Sequence, residues 1–263
     1  MNFPSLLMLL LSTNGGHDSV NLLDNFQGHD GTIVVYDQRR DYFTIVNESR
    51  ANRRFSPFST FKIPNSVIAL ETGVVGEIDE VVPWDTTRYP REEWWPAQWI
   101  GKHTLRSAIK FSVVPIYRTI ASRVGPDRMR QYIDDFEYGN RDISSGIDNF
   151  WLNGSLRISA MEQIEFLREF YNYWLAVSPT SIDEVKKILI QEKTENYVLS
   201  AKTGGGDKSE QGGKAFGWYV GYVERDGNVF YFALNIEAES FSEIMKLRVD
   251  VARSILKELK IID

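Results

Sequence analysis

The alternation of apolar and polar residues divides the chain into a strand-rich beginning, a helical middle and a strand-rich end. Thr32–Tyr36 and Tyr42–Val46 are β-branched and aromatic runs joined by the polar segment Asp37-Gln38-Arg39-Arg40-Asp41. They predict a β-hairpin. Ile63, Val67, Ile68 and Leu70 recur at helical spacing. Thr104 can cap a helix running through Phe111, Pro115–Val124 predicts another, and Pro126 suits the first turn of the next. Ser159-Ala160-Met161-Glu162 is a capping box opening a helix towards Ala176, and Ser181–Gln191 reads as a further helix. The period then changes from helical to alternating. Tyr197–Lys202, Ala215–Glu224 and Asn228–Glu237 predict strands, with Asp226-Gly227 turning the last pair. A helix over Ile244–Lys260 closes the chain.

These elements imply an α+β fold of two lobes. One antiparallel sheet is drawn from both chain ends and flanked by helices, with a mainly helical lobe of about residues 65–190 inserted between them. Residues 31–263 are expected to form this single domain, preceded by a segment 1–30. A binding cleft is expected at the lobe boundary. The glycine-rich stretch from Gly204-Gly205-Gly206 to Gly212-Gly213 reads as a mobile loop after a strand.

The apolar run Phe3–Leu11 is too short to span a bilayer. Its length suits the apolar part of a secretory signal, but no Lys or Arg precedes Arg39. A degraded or short signal and a plain N-terminal helix both stay open; the former places the protein in the periplasm or outside the cell.

Composition narrows the chemistry. The 263 residues carry a net charge of −6, which argues against general nucleic-acid binding, since that needs a basic face. Cysteine is absent, which excludes disulfides, thiol nucleophiles and cysteine-built metal sites. His17, His29 and His103 are far apart, stand in no recognisable motif, and give no reason to expect a metal. Aromatic residues make up 13 %, so the core or a cleft is rich in rings; Trp84, Trp94, Trp95 and Trp99 either border the cleft or form a packed loop.

Ser59-Thr60-Phe61-Lys62 places a serine and a lysine on one helix face. A serine hydroxyl is a poor nucleophile until a base takes its proton, and a neutral or modified lysine can be that base. About one Ser-x-x-Lys is expected by chance in a chain of this size. Ser107–Lys110 and Ser254–Lys257 also match and read as solvated polar faces of amphipathic helices. Ser59 is distinguished by its company: Ser112-Val113-Val114 between two helices, Tyr138-Gly139-Asn140 in a loop, and Lys202-Thr203-Gly204 ending a strand. Ser-x-x-Lys with Lys-Thr-Gly marks penicillin-recognising serine enzymes.

With Ser59–Asn65, Leu70-Glu71-Thr72-Gly73, Thr104-Leu105-Arg106, Tyr138-Gly139-Asn140, Gly146-Ile147-Asp148 and Phe150-Trp151-Leu152, the chain from about Gly31 onward resembles the class D, oxacillinase-type, serine β-lactamases. The family fold agrees with the two-lobe reading, that of serine β-lactamases and penicillin-binding transpeptidases. The resemblance implies hydrolysis of the β-lactam ring of penicillin-type antibiotics through an acyl-enzyme. It implies Ser59 as nucleophile and Lys62 as a general base that takes up CO2 as a carbamate, with no other cofactor. Ser112 and Lys202 become the proton relay to the lactam nitrogen, and Trp151 the hydrogen-bond donor to the carbamate. Val114 and Leu152 become an apolar gate, and the backbone N–H groups of Ser59 and Gly205 an oxyanion hole. Tyr138, Thr203, Gly204 and Arg248 complete the substrate-binding set, Arg248 holding the substrate carboxylate. Lys246 and Lys208 are its alternatives. The partner implied is a small-molecule β-lactam, with no nucleic acid and no membrane span, the protein being a monomer or homodimer. Phe58, Phe61, Val113, Val114, Trp151 and Leu152 are expected to surround Lys62 with apolar groups, and desolvation lowers a lysine pKa.

Two other readings share these motifs. One is a penicillin-binding sensor that stays acylated; in known receptors of that kind such a domain follows membrane helices, which are not expected here. The other is a cell-wall transpeptidase or carboxypeptidase, which the short length, the lack of an expected anchor and the Tyr-Gly-Asn element count against.

Overall fold

The computed structural model describes residues 21–152, 154–207 and 213–263. The candidate signal Phe3–Leu11 and the alternative cation Lys208 lie outside them. The chain opens with strands β1 (Gly31–Asp37) and β2 (Tyr42–Val46), then α1 (Glu48–Ala51) and α2 (Lys62–Glu71). A two-stranded ribbon follows, β3 (Val81–Val82) with β4 (His103–Thr104). Helices α3 (Leu105–Lys110), α4 (Val114–Val124), α5 (Pro126–Asp135), α6 (Ala160–Tyr171) and α7 (Pro179–Leu189) come next. The chain ends with β5 (Ile190–Lys193), β6 (Tyr197–Gly206), β7 (Ala215–Arg225), β8 (Asn228–Ala238) and α8 (Phe241–Glu258).

The main sheet has the order β2-β1-β8-β7-β6-β5, antiparallel throughout. The first hairpin therefore joins the C-terminal strands through β1 and β8, as the two-ended sheet requires. β8 alternates strictly: Phe232, Leu234 and Ile236 pack with α8 on one face, while Tyr231 and Ala233 face the helical lobe. Among the described residues, no helix is long and apolar enough to cross a membrane.

Local signals account for most boundaries. Thr104 accepts from the N–H of Ser107 and the Ser107 side chain reaches back, a capping box opening α3. Ser107 is thus a structural cap rather than part of a solvated face. Ser159 and Glu162 form the second capping box. Asp226 and Gly227 both have positive φ, as a tight hairpin of this twist needs.

Three further expectations are corrected. The helix from Ser159 stops at Tyr171 and does not run towards Ala176. The Asn172 amide bonds the carbonyl of Arg168, Gln38 and the Tyr231 hydroxyl, and Tyr173 turns left-handed. Residues 190–193 are an edge strand, not the end of a helix; pairing of Ile190 with Ser200 overrides the local preference of Gln, Glu and Lys. Gly204–Gly206 are not loop but the end of β6, in register with Trp218, Gly217 and Phe216.

Candidate active site

α2 is the centre of the helical lobe. Every residue from Lys62 to Ala69 is buried, and the helix packs against α4 and α7. Burial of Ile63, Val67 and Ile68 contributes about 1.5–3 kcal/mol each. A short 3-10 turn, Phe58–Phe61, leads into it and rests on β6. Ser59 lies on this turn and Lys62 opens the helix, so their side chains meet: Lys62 Nζ is 2.9 Å from Ser59 Oγ. Phe58, just before the serine, has φ of +48°. Such a left-handed residue costs about 1–2 kcal/mol, a kind of strain that concentrates at functional sites.

Lys62 is wholly buried, and burial pushes its amine down to about 7. That is a penalty on the order of 5 kcal/mol against the ammonium. The wall that excludes water is aromatic. Phe61 stacks on Trp151 at 5.4 Å and meets Phe150 edge-on at 5.0 Å. Val113 and Phe58 are also buried, while Val114 and Leu152 are half-buried, Leu152 packing against this core. The Trp151 indole N–H is buried and, among the described residues, has no acceptor.

Ser112 joins α3 to α4 with φ of +54°, the second left-handed residue of the site. Its hydroxyl is 2.5 Å from Lys202 Nζ, which also donates to the Thr203 carbonyl at 2.8 Å. Desolvation holds the Lys202 amine well below the usual lysine range, with the charges of Lys62 and Arg248 acting in the same direction.

β6 explains the Lys-Thr-Gly pattern. Side chains alternate along a strand, so Lys202 and Gly204 face the lobe while Thr203 and Gly205 face α8. A Cβ at Gly204 would lie 2.9 Å from the Pro57 carbonyl and 3.1 Å from the Thr60 nitrogen. Only a glycine lets the strand touch the serine turn. On the other face, a Cβ at Gly205 would lie 2.8 Å from Arg248 Nη1. The bare strand thus lets Arg248 reach across from α8 to the Gly204 carbonyl, at 2.6 Å. Burial lowers the Arg248 pKa to about 10, so it stays charged at neutral pH. Lys246 instead faces solvent and pairs with Asp250 at 3.5 Å.

A partly exposed serine beside a buried lysine, a second such pair next to it, and an arginine at the strand end make a site for an anionic acyl compound. The penicillin-binding protein transpeptidase domain model matches residues 29–259. β-Lactamase OXA-48 of Klebsiella pneumoniae is 41 % identical over 88 % of this chain and 84 % of its own length. The crystal structure of the class D β-lactamase YbXI from Nostoc matches with TM-score 0.85 at 36 % identity, covering 92 % of this chain and 99 % of that one. The chain belongs to the class D serine β-lactamases. The regulatory protein BlaR1 of Bacillus licheniformis is 35 % identical over 84 % of this chain, which spans 35 % of that longer protein.

In this class D β-lactamase the Tyr-Gly-Asn motif is built into the interior. Tyr138 is 1 % exposed and sits behind Phe61, edge-on at 5.7 Å. Gly139 has φ of +58°, and a Cβ there would lie 2.1 Å from the Arg157 carbonyl. Asn140 bonds the Ser155 carbonyl through Nδ2 and the N–H of Arg157 through Oδ1, each at 2.9 Å. The motif therefore fastens the far end of the loop that carries Phe150, Trp151 and Leu152. Asp148 fastens its middle, bonded to the Tyr89 hydroxyl at 2.7 Å and Arg88 at 3.1 Å.

The Trp84, Trp94, Trp95 and Trp99 rings contact one another, and Trp99 Nε1 donates to the Phe111 carbonyl at 2.8 Å, next to Ser112. The packed loop and the cleft border are thus one feature. Sequence reasoning passed over Ser66 and Tyr117. Ser66 Oγ donates to the Lys62 carbonyl at 2.7 Å and lies 2.8 Å from the Tyr117 hydroxyl, and the Tyr117 ring lies under Lys62 Nζ at 5.0 Å. Ser66 stands four residues after Lys62, a spacing that signals a shared helix face.

Proposed function

We propose that this β-lactamase (EC 3.5.2.6) acts through an acyl-enzyme on Ser59, with Lys62 carboxylated on its amine by CO2. One observation carries this reading: a fully buried lysine amine 2.9 Å from a half-exposed serine hydroxyl. Only a neutral amine reacts with CO2, and desolvation favours the neutral form. The residues around Lys62 fit the carbamate, since the apolar wall keeps the amine neutral and the buried Trp151 N–H can donate to an anion. Once carboxylated, Lys62 offers an anionic oxygen as base for the Ser59 hydroxyl and for the water that later cleaves the ester.

The remaining roles follow from position. Ser59 Oγ bonds to the lactam carbonyl carbon, and the backbone N–H groups of Ser59 and Gly205 receive the oxyanion. As the carbon–nitrogen bond breaks, the Ser112 hydroxyl passes a proton to the leaving nitrogen, replenished from Lys202, whose ammonium form is favoured once Lys62 carries an anionic carbamate in place of a cation. Val114 and Leu152 form the rim that admits water, Thr203 and Gly204 line the strand beside the ring, and Arg248 holds the carboxylate. Arg248→Ala should raise KM for carboxylate-bearing β-lactams about tenfold or more with little change in kcat, because a hydrogen bond between charged partners contributes about 1.5–3 kcal/mol in ground and transition states alike. An unchanged KM would move the role elsewhere.

The direct test is steady-state hydrolysis of a chromogenic cephalosporin with and without bicarbonate, from pH 5 to 8 at about unit steps. Above about 7 the Lys62 amine is neutral and takes up CO2; below it the ammonium forms, which neither binds CO2 nor accepts a proton. Activity should fall with acid and recover with bicarbonate, and carbon-13 NMR with labelled bicarbonate should show a carbamate. Bicarbonate-independent rates with no carbamate signal would sink the modified base. A burst followed by a stable acyl-enzyme would favour the sensor reading, which the likeness to part of BlaR1 keeps in view. The secretory or periplasmic location suggested by Phe3–Leu11 is tested by sequencing the mature N-terminus.

A further inference from the structure

Arg248 shares its guanidinium with a methionine. While Nη1 donates to the Gly204 carbonyl, Nη2 donates to the Met245 thioether sulfur at 3.3 Å. The two residues stand three apart on α8, on one face. Their exposure differs sharply: Arg248 is 5 % exposed and Met245 52 %. Of the other described methionines, Met129 is buried and Met161 half-buried. Among the described residues the most accessible thioether is therefore the one in contact with the arginine at the site.

A thioether is a weak acceptor. Its sulfoxide carries a strongly polar oxygen in place of a sulfur lone pair. We propose that Met245 is an oxidation site, and that its sulfoxide engages Arg248 and weakens binding of the anionic substrate. The proposal rests on the assignment of Arg248 above. The oxidant is a peroxide. The sulfur lone pair attacks one peroxide oxygen, the O–O bond breaks and an S–O bond forms. The departing hydroxide takes the proton from that oxygen and leaves as water. Sulfur loses two electrons and the peroxide gains them.

Two geometric points set the effect. Arg248 has five N–H donors, of which Gly204 and Met245 each occupy one. The sulfoxide oxygen holds the Nη2 donor more firmly than the sulfur does, leaving that donor less free for a substrate carboxylate. The oxygen is neutral, so the carboxylate still competes and the result is a graded loss.

The enzyme is treated with hydrogen peroxide, and oxidation is located by peptide mass mapping. KM for a carboxylate-bearing β-lactam should rise about three- to tenfold, the span of one neutral hydrogen bond, with kcat little changed. KM for the methyl ester of the same compound should not move. Methionine sulfoxide reductases should restore the original KM. Met245→Leu, whatever its own KM, should show no peroxide-dependent shift. Resistance of Met245 to peroxide, full oxidation with unchanged KM, or an equal shift in Met245→Leu would each overturn the proposal. Arg248→Ala is measured alongside. If its KM is also unchanged, the arginine assignment falls and the methionine with it; if its KM rises but oxidation is silent, the methionine step alone is wrong.

Discussion

Ser59→Ala should lower β-lactam turnover by a factor on the order of 10⁵–10⁶, the scale seen when a catalytic serine is removed from a unit that works together. Among the described residues, the Ser59 hydroxyl is the side-chain group hydrogen-bonded to the buried Lys62 amine, at 2.9 Å. Alanine fits the same turn, whose shape is set by the Thr60 N–H and hydroxyl on the Pro57 carbonyl rather than by the serine. The fold should survive, which circular dichroism and thermal melting would verify. Intact-mass spectrometry should find a penicillin adduct on the wild type and none on the variant. Turnover near the wild-type rate would remove Ser59 from the chemistry altogether.

Lys62→Ala should cost about 10²–10⁴ in rate, the range of a lost general base. Deacylation should suffer at least as much as acylation, because the water that attacks the ester is a weaker nucleophile than a serine held beside its base. The variant should then trap a slow acyl-enzyme that mass spectrometry can follow in time. Ser112 and Lys202 remain in place, so protonation of the lactam nitrogen continues and some acylation persists. If the variant deacylates as fast as the wild type, Lys62 is not the base for that step, and the modified amine loses its purpose.

Both predictions depend on burial that no local pattern encodes. The four motifs were legible because each needs particular residue types at fixed spacing: Ser59 with Lys62 across one helix turn, and glycine where Gly204 meets the Pro57 carbonyl. The capping residues Thr104 and Ser159 were legible for the same reason, since a cap acts within four residues. Helix and strand periodicity gave the order of elements and the two-ended sheet.

Tertiary structure decided the rest. Tyr138 reads as a turn residue beside a glycine, yet its ring is packed behind Phe61, and Asn140 bonds across to Ser155 and Arg157. The sequence carried no sign that this motif fastens the Trp151 loop, because both segments of that contact are irregular and have no period. Edge pairing made Ile190–Lys193 a strand against its local preference. Arg248 reaches the cleft from the opposite face of the sheet, over a strand stripped of side chains at Gly205. Spacing along a chain reports which residues share a face of one element; which faces are then buried against each other depends on contacts between residues far apart in sequence, and those alone set the charge state of Lys62.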